Sequence, residues 1–241
     1  MCGRYNLNTP AAQWTQALLP LWTDQERTGR IDELSIHSRY NVAPGQPIAC
    51  VRSQPGSEKR DLAMLHWGLI PHWATDAAIG YRMINARSET VAEKNAFKSA
   101  LKTQRCLIPA DGYFEWVKTD HGKQPYWIRD PSGQLLVMAG LWQRNEHVAD
   151  QPVESATVLT TNAGPATAEI HDRMPVFLTE AQAQLWLDQE VQDASALKPL
   201  YNACQAMEFS VDPVSTYVSR SQNEGPRCIE IEKPLQQGEL F

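Results

Sequence analysis

Between Arg39 and Trp142 the chain breaks into short apolar segments separated by proline and glycine turns, a pattern few folds accept. The segments at 48–52, 62–69, 80–86 and 105–108 have the length and turn boundaries of strands rather than of helices. Tyr113–Lys118 and Gln124–Arg129 add two more, joined by the polar turn Thr119–Lys123. Gln134–Trp142 follows the Asp130-Pro131-Ser132-Gly133 turn, and Ser155–Thr161, Met207–Val211 and Val214–Val218 complete the set. Helices are fewer. Thr9-Pro10 opens an amphipathic one carrying Trp14 and Leu18 and stopped by Pro20. Thr90-Val91-Ala92-Glu93 is a capping box before Phe97 and Leu101, and Thr179 to Gln182 is another, leading through Leu187. Meander-connected strands with three or four helices predict one α+β domain: a strongly bent, mostly antiparallel, barrel-like sheet with a few flanking helices. The domain is expected over residues 2–222, with a flexible tail from Asn223 to Phe241.

Composition removes several function classes. At 241 residues and 42% hydrophobic the chain can bury a substantial core and is too apolar to be disordered. Its longest apolar run, Leu135 to Trp142, is far too short to cross a bilayer, and no basic-then-apolar leader opens the chain. Five cysteines, widely spaced and without a C-x-x-C pair, suit a reduced, cytoplasmic protein with neither disulfides nor structural zinc. No two glycines lie closer than seven residues, so there is no Gly-rich phosphate loop. The six histidines form no paired-ligand motif, His66 and His72 read as structural, and no G-x-S-x-G elbow occurs. No metal and no nucleotide cofactor are expected.

A net charge of −6 argues against coating nucleic acid by bulk charge. The charge is uneven, however. Residues 82–105 carry six cations against two anions, +4, while 180–212 carry one cation against six anions, −5. By charge alone the basic strip is equally a polyanion groove and a solvated helix face.

Residue 2 carries the most chemistry. An initiator methionine is normally removed before a small residue, which would leave Cys2 with a free α-amine beside its thiol. The amine titrates at roughly 7.7–8.0 and the thiol at about 8.5, so both are partly nucleophilic near neutrality. Such a 1,2-aminothiol can act as a lone thiol on an amide, or as a pair that condenses with an aldehyde to a five-membered thiazolidine. Taken alone, it is also an ordinary cysteine near a chain end.

Cys2 does not stand alone. Cys2-Gly3-Arg4-Tyr5 is followed in order by Arg39-Tyr40-Asn41-Val42-Ala43-Pro44 and Trp67-Gly68-Leu69-Ile70-Pro71 with Trp73. Ile84 to Thr90, Arg105 to Ala110, Asp111 to Trp116, Ile170 to Pro175 and Pro213-Val214-Ser215 complete the series. This ordered set resembles the SOS response-associated peptidase (SRAP) family of abasic-site processing proteins, across residues 2 to 223. The resemblance implies a covalent crosslink between Cys2 and the ring-opened aldehyde of an abasic site in single-stranded DNA. It implies Asn41 hydrogen-bonding the Cys2 end or the opened sugar, and Glu115 and His171 as acid/base partners in ring opening and crosslink reversal. Arg4, Asn85 and Arg87 would hold phosphates, Trp67 and Pro71 would stack on or wedge the flanking bases, and Thr160 would add a backbone contact. Removal of Met1 by the same site is part of the resemblance.

These residue types suit those roles. On an alternating strand Tyr113 and Glu115 share one face, and a carboxylate drawn among apolar side chains has a raised pKa fit for proton transfer near pH 7. Guanidinium forks suit phosphate, and stacking on unpaired bases tolerates any sequence. Trp14, Trp127, Trp142 and Trp186 lie on apolar faces and are assigned to the core. The terminus Gln237-Gly238-Glu239-Leu240-Phe241 is similar to the peptide by which bacterial repair proteins dock on the sliding clamp, and would tether an otherwise monomeric, nucleoid-associated protein. Two alternatives stay open. N-terminal-nucleophile amidohydrolases also begin Met-Cys-Gly, although their His-Arg-Gly-Pro and Asn-Gly-Glu stretches are missing here. A non-covalent single-strand binding module would leave Cys2 incidental.

Overall fold

The computed structural model describes residues 2–18, 32–56, 60–120 and 122–233. Its strands, in chain order, are β1 (Tyr5–Leu7), β2 (Arg39–Val42), β3 (Pro47–Ser53), β4 (Arg60–Trp67), β5 (Asn85–Arg87), β6 (Arg105–Ala110), β7 (Gly112–Thr119), β8 (Gly122–Arg129), β9 (Leu136–Asn145), β10 (Val153–Asn162), β11 (Arg173–Pro175) and β12 (Ser210–Pro213). The helices are α1 (Ala11–Ala17), α2 (Lys98–Thr103), α3 (Glu180–Leu187) and α4 (Ala194–Ala203). The expected bent α+β domain is the observed one.

Closure comes from β10. Its first half pairs antiparallel with β9 and, at Ser155 and Ala156, parallel with His66 and Trp67 of β4. Since β4 also pairs with β3, β3 with β6 and β6 with β9, five strands form a closed ring without an open edge. The second half of β10 leaves the ring and carries β5 on one side and β11 on the other. A separate antiparallel sheet, ordered β12-β8-β7-β1-β2, packs alongside. Alternation along β7 explains how: Tyr113 faces the main core, whereas Phe114 joins a second apolar cluster with Val214, Val218 and Cys228.

That second cluster corrects the expected domain boundary. Residues 223–233 are not a tail but cover the outer face of the smaller sheet. Cys228 is buried, Val214 bridges Ile231, and Glu224 accepts from Arg39 Nε at 2.7 Å and from the Tyr40 amide at 2.8 Å. The clamp-like residues Gln237, Leu240 and Phe241 lie outside the described residues, as does Pro20.

Local differences have local causes. The helix expected from Thr90 is confined to Lys98–Thr103; Thr90 O accepts from both Glu93 and Lys94, making turns rather than a continuous helix. The strand expected at 80–86 is a 3₁₀ turn at 77–82, capped by Asp76, followed by the short β5. Gly80 there meets Gly68, whose φ is +132°; a Cβ on Gly68 would lie 2.7 Å from Gly80 O, so only glycine permits the contact. Val214–Val218 is not a strand; Thr216–Ser219 is a 3₁₀ turn capped by Ser215. Thr9 does not cap α1: Asp111 takes the Thr9 hydroxyl at 2.6 Å and the Asn8 and Thr9 amides at 2.6 and 2.7 Å. The Thr179–Gln182 capping box forms as expected. No helix among the described residues is long and apolar enough to cross a membrane.

Candidate active site

Strand register delivers Cys2 to Glu115. Tyr5 pairs with Tyr113, and the Phe114 amide donates to Arg4 O at 2.9 Å, so the residues before β1 run back along β7 toward Glu115. Cys2 is fully buried, and the Asn85 side-chain amide holds its carbonyl at 2.7 Å. Burial pushes the Cys2 thiol well above its usual range, and the Glu115 carboxylate adds to the effect. Burial also raises the Glu115 carboxyl, against the pull of His171. The Tyr113 hydroxyl is raised by burial and then by Cys2 and Glu115. A thiol, a carboxyl and a phenol therefore share one water-poor field, with the partly exposed His171 imidazole at its edge.

His171 is placed by the turn before β11. Its Nδ1 lies 2.8 Å from Asp172 Oδ1 and 3.0 Å from the Arg173 amide nitrogen. It serves one at a time: a neutral ring protonated on Nε2 accepts the Arg173 N–H, and an imidazolium donates to Asp172. Arg173 is buried and braces the neighbourhood. Its guanidinium forks onto Glu89 at 2.7 and 2.9 Å and donates to Asn162 Oδ1 at 2.6 Å and Thr160 O at 2.8 Å. The Arg173 fork also holds the Glu89 carboxyl below its ordinary range.

The expected residues thus divide. Cys2, Asn85, Glu115 and His171 come together, and Arg87 stands exposed on β5 two residues beyond Asn85. Arg4 is half-buried, with Nη1 donating to Asn41 Oδ1 at 2.8 Å and Val218 O at 2.9 Å, and with Cζ 5.7 Å from the centre of the Trp116 ring.

Four of the expected residues are engaged within the protein itself. Asn41 is fully buried and does not reach the Cys2 end: its carbonyl takes Arg4, and its amide donates to Arg220 O, Asn223 O and Val218 O at 2.9, 2.8 and 3.2 Å. It is a positioning residue joining Arg4 to segment 218–223. Trp67 is 0% exposed, donates its indole N–H to Ile84 O at 2.9 Å and meets Tyr5 edge-on, so its face cannot receive a base. Pro71 is buried, with its carbonyl accepting from Asn145 Nδ2 at 2.7 Å. Thr160 is buried; its carbonyl accepts from the Ser88 amide and Arg173, and its hydroxyl donates to Ala86 O at 3.4 Å.

The sequence reading missed one residue that braces the site, Arg173. Nothing in the spacing marks the Arg173 brace. For the tryptophans a signal existed: Ala63, Leu65 and Trp67 continue one buried alternation of β4, whereas Trp73 lies past the Gly68 turn and is 50% exposed.

Comparison with known proteins fits this geometry. Residues 1–221 match the family described as SOS response associated peptidase (SRAP). The protein YoqW of Bacillus subtilis (strain 168), named an abasic site processing protein, is 37% identical over 95% of this chain and 99% of its own. YedK of Escherichia coli (strain K12), named likewise, is 32% identical over the same shares. A crystal structure from Bacteroides thetaiotaomicron superposes with a TM-score of 0.80 over 96% of this chain and 100% of that one; at 22% identity it speaks for the fold. This chain belongs to the SOS response associated peptidase family.

Proposed function

We propose that the protein processes abasic sites in single-stranded DNA by forming a thiazolidine between Cys2 and the sugar aldehyde. The observation that supports this most is the burial of Cys2 against Glu115, with His171 acting on the same carboxyl. The relatives' name, abasic site processing protein, agrees with the substrate.

The raised thiol sets an order of events. A thiol held protonated is a poor first nucleophile, so the α-amine freed by loss of Met1 adds first to the aldehyde carbon. Ring opening precedes it: the anomeric hydroxyl gives up its proton while the ring oxygen gains one, with Glu115 and His171 as carriers. The resulting carbinolamine loses its hydroxyl as water, with the Glu115 carboxyl, whose hold on its proton burial strengthens, as the donor. The Cys2 sulfur then adds to the imine carbon, its proton passing through Glu115 to the nitrogen. One C–N and one C–S bond form and one water leaves, so no oxidant or cofactor enters the balance. Reversal runs the same steps with water added back, and hydrolysis of the Met1–Cys2 bond is assigned to the same carboxyl.

Arg4 and Arg87 are assigned to backbone phosphates. The last five residues are assigned to the sliding clamp. A denaturing gel tests the covalent step. The mature protein mixed with single-stranded DNA bearing one abasic site should give a heat-stable shifted band, absent with intact DNA and in Cys2→Ala. Binding without that band leaves only a non-covalent module, and glutamine-dependent ammonia release would favour the amidohydrolase.

A further inference from the structure

We propose that Tyr113 is a further catalytic residue, its buried hydroxyl donating a hydrogen bond to the Cys2 sulfur while that sulfur lacks its proton. The proposal rests on the thiazolidine reading above. Strand register brings the two side chains together. Tyr5 pairs with Tyr113, and Arg4 O accepts the Phe114 amide at 2.9 Å, so the chain from Tyr5 back to Cys2 follows β7 past Tyr113. Cys2 and Tyr113 lie in the same buried cluster, and Glu115 shares the Tyr113 face of the strand. After burial itself, the Cys2 thiol acts on the phenol more strongly than any other group, Glu115 included.

The hydroxyl is unused by the fold. Tyr113 is 1% exposed, and its oxygen meets no hydrogen-bond partner among the described residues. Thr167 is the neighbouring hydroxyl and lowers the phenol's pKa, yet no bond closes between them, and Thr167 Oγ1 is without a partner as well. A buried polar group left in this state costs stability, and a catalytic role is one of the few reasons such a group persists. Packing on Phe177, with ring centres 5.8 Å apart, holds the phenol in place. Thr167 ties the same spot to the other side of the site, because its carbonyl accepts the His171 amide at 3.1 Å.

Ring closure is the step that needs such a donor. Burial favours the protonated thiol, so the S–H proton must leave where little water can steady the charge. That proton passes to the Glu115 carboxylate left by dehydration, and a sulfur electron pair forms the C–S bond. The C=N π pair moves to nitrogen, which takes the proton from Glu115. Tyr113 gives up no proton; it only donates a hydrogen bond to the sulfur between these transfers. Burial, Cys2 and Glu115 all hold the phenol in its protonated form, so it stays a donor throughout. A donor already fixed toward developing charge has no reorganisation left to make. In reversal the same bond steadies the sulfur as the C–S bond breaks.

The experiment uses the mature full chain and single-stranded DNA with one abasic site, with and without sodium cyanoborohydride. The reductant delivers hydride to the imine carbon, so its heat-stable band reports amine addition. Without reductant the imine hydrolyses on heating, and the band reports ring closure. Tyr113→Phe should form the reduced band at the parent rate and the unreduced band about 10- to 150-fold more slowly. Its Tm should match or exceed the parent's, because the hydroxyl removed was bonded to nothing. An unchanged closure rate overturns the proposal. Equal slowing of both bands marks a disturbed site, and a lower Tm marks a hydroxyl bonded within the fold; either result overturns it too. A parent chain that gives neither band removes the covalent reading and the role of Tyr113 with it, whereas failure of the variant comparison alone leaves that reading intact.

Discussion

Asn41→Ala tests whether Arg4 is aimed from behind. The substitution removes the acceptor of Arg4 Nη1 and the donor to three carbonyls. Val218 O keeps Arg4 as a partner, and Arg220 O keeps the Asn223 amide, so the main loss is the charged bond to Arg4 and the tie to Asn223. A hydrogen bond to a charged group is worth about 1.5–3 kcal/mol and a neutral one about 0.5–1.5. With coupling between neighbours, the net cost is about 3 kcal/mol. For a chain of this size that lowers Tm by roughly 6–12 °C, readable by calorimetry. Binding should change as well: an Arg4 held by Val218 O alone is aimed less well at the phosphate proposed for it, and the slope of log Kd against log salt should fall by up to about 0.7. Asn41→Asp separates the two effects, because it keeps an acceptor for Arg4 and loses the donors. It should retain the salt slope and still lose stability. An Asn41→Ala protein that melts within about 2 °C of the parent with an unchanged slope would refute the positioning role.

Other expectations follow from the site and the core. Burial lifts the Glu115 carboxyl, so the folded chain binds that proton more tightly than the unfolded chain does. Its contribution to stability is whole below the unfolded value near about 4.3 and is lost as pH rises through the folded value. Glu115→Gln should therefore raise Tm at pH 7 to 8, with the gain closing below about pH 4, while crosslinking slows; a gain of equal size at both ends of the range contradicts the burial cost. Trp67→Phe should cost about 1–3 kcal/mol through the lost indole bond and the space left behind, with DNA affinity unchanged; weaker binding at full stability would return Trp67 to the interface. Deleting residues 237–241 should abolish binding to purified sliding clamp without changing the crosslink, and retained clamp binding would remove the tether.

Much of the site is legible because its chemistry is tied to single residues. Cys2 and Glu115 are singled out by the ordered motifs that resemble the family, since position or strand alternation alone leaves each an ordinary residue. Period-two alternation also gives which face of β7 meets the core. It also gives the buried Trp67 but stops short of Trp73, six residues on in the same motif: the Gly68 turn ends the period, and the loop beyond it is held by Gln143 and Asn145, about seventy residues away. Asn41 illustrates the same limit. Its type suits a substrate contact, and only the return of segment 218–223 across the outer sheet shows that its hydrogen bonds are already used.

The sequence by itself determined the class of fold and most of its longer strands, because strand periodicity and turn residues are local properties. Only the tertiary structure decided which strands close the ring, that residues 223–233 are wall rather than tail, and which aromatic faces water. Those outcomes turn on packing and on hydrogen-bond partners distant in the chain. A buried polar group must be satisfied by whatever the fold brings to it, and no local pattern records what that is.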